Sequence, residues 1–209
     1  MPTVAEKAQP LLQLLRSSVA GSDGAIYAAL DGRSGAGKST LADYVRSALA
    51  ETGLQVAVIE GDQFYAGGTA ATWDEQSAEE KVATAMDWRR QHTLLTSLRE
   101  TGHAVWHSFA WDAPDWDATP PPLETEPRSL SVSTTDVVLL EGAYSARPEL
   151  HALLDVLVLL DPPRSVRRQQ LLKREGDEYR DDWEGRWSEA EDLYFSQVMP
   201  PDRFDLVIK

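Results

Sequence analysis

The chain has 209 residues, a formal net charge of −14, no cysteine, and 42% hydrophobic and 26% charged residues. That is ample for a buried core, and the lack of cysteine excludes disulfides and cysteine–zinc sites and fits a reducing cytoplasm. A surface this acidic repels nucleic acid and anionic membranes at long range; no apolar run approaches the ~20 residues of a membrane span, and no secretory signal is expected at the N-terminus.

The first apolar segment, VAEKAQPLLQLLRSSVAG, places Leu11, Leu12, Leu14 and Leu15 at helical spacing. It predicts a helix within residues 1–22 that stops near Gly21, with Pro10 kinking it or starting its second part. Six strand-like runs follow: 25–31, 54–62, 103–109, 136–142, 155–161 and 204–208. They are short, rich in Val, Ile and Leu, and mostly without alternation, as strands covered on both faces are. Helical segments separate most of them: KSTLADYVRSALAETG closing at Gly53, one long helix over 78–102, then RSVRRQQLLKREG and WEGRWSEAEDLYFSQVM. This alternation predicts one doubly wound α/β domain over 1–209. The proline-rich stretch from Asp112 to Ser129 reads as a loop or hairpin excursion, reaching to about residue 134.

After the first strand the chain reads DGRSGAGKST. Gly32, Gly37, Lys38 and Ser39 satisfy the phosphate-loop pattern, with Ser34, Gly35, Ala36 and Thr40 completing the cradle. The loop turns its amides toward phosphate oxygens, which needs conformations glycine adopts cheaply, and the next helix adds the positive end of its dipole. Lys38 is expected to reach the β- and γ-phosphates of ATP, and Ser39 to offer its hydroxyl to Mg²⁺. The ion needs a carboxylate from a neighbouring strand end. Asp62 and Glu141 are the candidates, and four apolar residues deliver Glu141 to the sheet edge that carries the loop. Asp161, ahead of two prolines, reads as part of a turn. Downstream, Arg167 and Arg174 lie seven residues apart on one helix face, with Arg168 and Lys173 beside them. They form a candidate lid over about 164–185 that would stabilise charge on a transferring phosphoryl group.

The segments DGRSGAGKSTLA, GDQFY, AMDWRRQHTLLTSLRETGHAV, DVVLLEGAY and FDLVI, in this order, resemble the uridine kinase-like and phosphoribulokinase-like kinases from about residue 25 to the C-terminus. The resemblance implies a three-layer α/β/α fold with a mainly parallel five-stranded core sheet, a lid over ATP, and transfer of phosphate to a hydroxyl of a small molecule. It implies Asp62 beside the acceptor hydroxyl as base or orienter, Tyr65 in the acceptor pocket, Asp87 as an acceptor or structural contact, and Glu141 on Mg²⁺ or its water. Trp111 and Asp112 stand where the family has Tyr-Asp, and Val82-Ala83 where uridine kinases have the His-Pro that helps read the pyrimidine. Those departures argue against uridine. Between Asp62 and Pro127 there are twelve acidic and four basic residues, few for a phosphorylated acceptor, so a neutral or amine-bearing alcohol is expected. A cytoplasmic monomer or homodimer, with no nucleic-acid or membrane partner, completes the expectation. A nucleotide-binding regulator would need neither Asp62 nor the lid arginines, and a GTPase would need an Asn-Lys-x-Asp that the chain lacks.

Overall fold

In the computed structural model, which describes residues 3–109, 128–175 and 183–209, five strands form one sheet. They are β1 (Ile26–Asp31), β2 (Val56–Glu60), β5 (Val137–Glu141), β6 (Val156–Leu160) and β7 (Leu206–Ile208), in the order β2-β5-β1-β6-β7 with every neighbouring pair parallel. All six residues of β1 and all five of β5 are buried, which is why their sequences run apolar without alternation. β1 has β5 on one side and β6 on the other, so the chain reverses direction across the sheet there. A crevice opens beyond the C-terminal strand ends at such a point.

Helices cover both faces. On one, Leu11, Leu12 and Leu15 of α1 (Val4–Ala20) and Leu41, Val45 and Leu49 of α2 (Lys38–Ala50) pack on Ile26, Ala28, Leu30, Val137 and Leu139. On the other, Leu94, Leu95 and Leu98 of α5 (Trp88–Thr101) pack on Tyr27, Val138 and Leu140. Each fully buried leucine contributes about 1.5–3 kcal/mol, so α1 is part of the core. No helix among the described residues is long and apolar enough to cross a membrane.

Three local expectations are corrected. Pro10 does not start a second part: α1 runs through it, begins at a Thr3–Glu6 capping box, and places Pro10 on its exposed side, where the carbonyl left without a donor meets water. The long helix over 78–102 is two, α4 (Ala78–Thr84) and α5. Between them Met86 bridges to Tyr65, the Asp87 amide donates to the Phe64 carbonyl at 2.8 Å, and the Asp87 carboxylate accepts the Arg90 amide as the cap of α5. The run at 103–109 does not join the sheet. Its strand β3 (His103–His107) pairs antiparallel with β4 (Ser129–Ser133) in a separate ribbon whose side chains alternate between covered and exposed, Val105 being 60% exposed. The apolar residues of one side pack with Phe64 and Leu95, and the other side carries Ser129, Ser131 and Ser133 opposite His107, Val105 and His103.

Candidate active site

Asp31 ends β1 with no exposed surface. Its Oδ1 accepts the amides of Gly32 (2.7 Å) and Tyr144 (2.9 Å); its Oδ2 accepts the amide of Ala146 (2.9 Å) and the hydroxyl of Tyr194 (2.8 Å). Burial pushes its pKa up to about 6, against the pull of these donors and of Lys38. One carboxylate thus ties the start of the loop to the segment after β5 and to the C-terminal helical region. Tyr144 pays for its place with φ 64, the left-handed region, held there by the Asp31 bond and by its ring against Tyr194 at 4.7 Å.

The loop then crosses to α2. Gly37 caps α2 at φ 93 with no side chain on the helix's first amides, which leaves them directed at the cleft. Lys38 folds back, its Nζ donating to the carbonyls of Gly32 (2.8 Å) and Arg33 (3.2 Å). The Ser39 hydroxyl donates to Glu141 Oε1 at 2.9 Å, which joins the start of α2 to the end of β5. Burial pushes Glu141 up to about 7; Lys38 and the Ser39 bond pull it down, while Asp62 and Glu60 push further up. Asp62 stands in the turn after β2 and faces the same cleft. Tyr65, three residues on, is enclosed by Trp73 (5.7 Å), Phe109 (5.0 Å) and Trp187 (6.4 Å), and burial lifts its pKa to about 12.

The cleft between these groups has a volume of about 490 Å³. Ser34, Gly35, Gly37, Lys38, Ser39, Thr40, Asp62, Tyr65, Glu141 and Arg174 all line it. Gly32 and Ala36 belong to the loop's underside, and Asp87 stands behind as the α5 cap. Arg167 is not among the residues that line the cleft; its guanidinium faces Glu191, 3.9 Å distant, although it shares a face of α6 (Arg164–Glu175) with Arg174. Trp111 and Asp112 lie outside the described residues.

The cleft also contains residues absent from the sequence expectations. Gln170 and Leu171 were legible, since they lie on the α6 face between Arg167 and Arg174. Met86, Tyr144, Trp187 and Glu191 were not, because a helix break, a left-handed backbone and the packing of α7 (Trp183–Leu193) bring them in. Leu171 seats directly on the loop: a Cβ built on Gly35, φ 72, would stand 2.5 Å from Leu171 Cγ and 2.7 Å from the Arg167 carbonyl.

The arrangement fits Mg·ATP. Uncapped helix amides beside a lysine suit a polyphosphate, and a hydroxyl with one or two carboxylates suits a hard cation that keeps water and phosphate among its ligands. Among the described residues no cage of three or more His, Cys, Asp or Glu is assembled.

A sequence profile of the Phosphoribulokinase / Uridine kinase family matches residues 28–188. The chain belongs to this family. It is therefore a P-loop kinase, and the family implies ATP and Mg²⁺. No curated protein matches this kinase in sequence. Among solved structures, it is similar to a possible uridine kinase from Bacillus stearothermophilus, with 21% identity, a TM-score of 0.68, and coverage of 96% of this chain and 98% of that one. It is also similar to the D-glycerate 3-kinase from Cryptococcus neoformans, with 15% identity, a TM-score of 0.57, and coverage of 82% and 79%. At these identities the likeness is one of fold.

Proposed function

We propose that this kinase moves the γ-phosphate of ATP to a hydroxyl of a small neutral or amine-bearing molecule. The observation that carries the reading is the division of the cleft. The bases among the described lining residues, Lys38 and Arg174, belong to the loop and to α6; the rest of the lining includes Asp62, Tyr65, Met86, Tyr144 and Trp187 and no further Lys, Arg or His, and the acids Glu141 and Glu191 already bond to Ser39 and to the Ser34 amide. A phosphorylated or carboxylate acceptor would bring its charge against those acids without a counter-ion.

In this reading Lys38 exchanges two loop carbonyls for phosphate oxygens. Ser39 and Glu141 would hold Mg²⁺, which when bound neutralises charge on the β- and γ-phosphates. Asp62 aligns the acceptor hydroxyl and takes its proton as the oxygen bonds to phosphorus and the bond to ADP breaks. Tyr65 and Trp187 wall the body of the acceptor. Arg174, the lid arginine at the cleft, faces the charge that spreads over the transferring group. Positioning and charge stabilisation account for most of the rate.

The test is ADP release, with mass identification of the product, from Mg·ATP and a panel of neutral polyols and nucleosides, amino alcohols, and phosphorylated or carboxylated alcohols. Turnover confined to the neutral and amine-bearing members is expected. Preference for the anionic members would overturn the acceptor class, and ATP consumption indifferent to any alcohol would make the protein a hydrolase.

A further inference from the structure

The start of the phosphate loop is held by the C-terminal helical region at three points that run in opposite chain directions. Asp31 meets Tyr194 at 2.8 Å, Arg33 meets Asp192 at 2.6 Å, and the Ser34 amide meets Glu191 Oε1 at 2.7 Å. In the middle pair Arg33 is largely covered but Asp192 is 73% exposed, so solvent screens it and it holds less. Glu191 differs. Its side chain is only 7% exposed, and beyond the loop amide it faces the Arg167 guanidinium of α6 at 3.9 Å. The Arg167 Nε is buried and finds no hydrogen-bond acceptor among the described residues. The pairing with Glu191 is therefore a main compensation for a half-buried cation, which Asp161 also attracts and Arg33 and Arg164 oppose.

The same turn of α6 rests on the loop through Leu171 and the Arg167 carbonyl above Gly35. One buried carboxylate is thus shared between the loop backbone and the helix that covers it. One turn earlier on α7, Trp187 reaches the acceptor side of the cleft, and the Arg186 carbonyl accepts Lys81 Nζ of α4 at 3.0 Å.

We infer that Glu191 is a positioning residue for phosphoryl transfer: it fixes the phosphate loop through the Ser34 amide and the lid helix through Arg167, so that Arg174, seven residues further along α6, stands at the cleft. It acts through those two groups and makes no bond to the transferred phosphate. The inference rests on the reading of the cleft as the Mg·ATP site.

Three variants separate its two attachments. Glu191→Gln keeps an oxygen for the Ser34 amide and loses the charge facing Arg167. Glu191→Ala loses both. Arg167→Met removes the lid partner alone. The readouts are the calorimetric Kd for Mg·AMPPNP and hydrogen exchange over residues 164–175 compared with β1 and β5. In Glu191→Gln and Arg167→Met, exchange in α6 rises by about tenfold or more while β1 and β5 stay protected. Nucleotide affinity in Glu191→Gln stays within about threefold of the wild type, and in Glu191→Ala falls by about tenfold or more, as for a lost buried acceptor. The double variant Glu191→Gln/Arg167→Met is no worse than either single one, because both break one link.

Additive losses in the double variant, unchanged exchange in α6, or faster exchange throughout β1 and β5 would overturn the inference, the last by reducing Glu191 to a general stabiliser. Glutamine and alanine variants equally impaired in binding would also overturn it. A wild-type protein that does not bind Mg·AMPPNP removes the nucleotide reading itself, and the exchange pattern then still decides whether Glu191 holds α6.

Discussion

Gly35→Ala tests the contact between the loop and α6, with Gly53→Ala as its control. Both glycines lie in the left-handed region, at φ 72 and φ 86. An added methyl at Gly53 meets nothing within 4 Å; at Gly35 it meets Leu171 Cγ at 2.5 Å and the Arg167 carbonyl at 2.7 Å. The control therefore carries backbone strain alone, about 1–2 kcal/mol. Gly35→Ala carries the same strain plus overpacking of about 1–3 kcal/mol, because the Arg167 carbonyl is helix backbone and cannot rotate aside. For a chain of this size the difference corresponds to a Tm about 2–12 °C lower than that of the control. Thermal unfolding followed by circular dichroism measures it, and calorimetry with Mg·AMPPNP adds the functional side: the control binds as the wild type does, and Gly35→Ala binds at least about tenfold more weakly, the loop and α6 no longer fitting together. Equal Tm losses in the two variants, or unimpaired binding by Gly35→Ala, would refute the claim that α6 rests on the loop.

Asp62→Asn should keep Mg·ATP binding and lose turnover with whichever alcohol the panel identifies; comparable turnover would remove Asp62 from the chemistry. Lys38→Ala should slow transfer by about 10²–10³, as other charge-stabilising donors do, read from single-turnover rates at saturating ATP. Asp31 gives a pH prediction. Its pKa of about 6 lies above the ordinary 3.8, so between those values the folded protein binds more protons than the unfolded chain. Its contribution to stability is thus fully present below about pH 4 and is lost as pH rises through 6, a span of about 3 kcal/mol. Glu141, at about 7, acts with the same sign. Urea unfolding between pH 4 and 7.5 should show Asp31→Asn with a shallower decline toward neutral pH than the wild type, and an identical decline in the two proteins would contradict this account of Asp31.

What the linear sequence determined is local and chemical. The glycine pattern, Lys38, Ser39 and a strand-end carboxylate at Glu141 could be read because each obeys a short-range rule: a loop that glycine permits, a helix that begins at a fixed offset, and an apolar run that delivers one residue to a sheet edge. The parallel core followed from apolar runs covered on both faces, and five of the six runs joined it. Tertiary structure decided the rest. The run at 103–109 has a strand's composition, yet whether it enters the sheet depends on which face another element covers. The break at Asp87 depends on the Phe64 carbonyl and Tyr65, more than twenty residues away, outbidding helix propensity. Arg167 and Arg174 are equivalent on a helical wheel, yet Arg167 faces the Glu191 carboxylate that α7 brings in, while Arg174 lines the cleft. Spacing along a chain specifies which groups share a face. Which of them meets a partner depends on what another segment packs there, and that is settled only when the layers close.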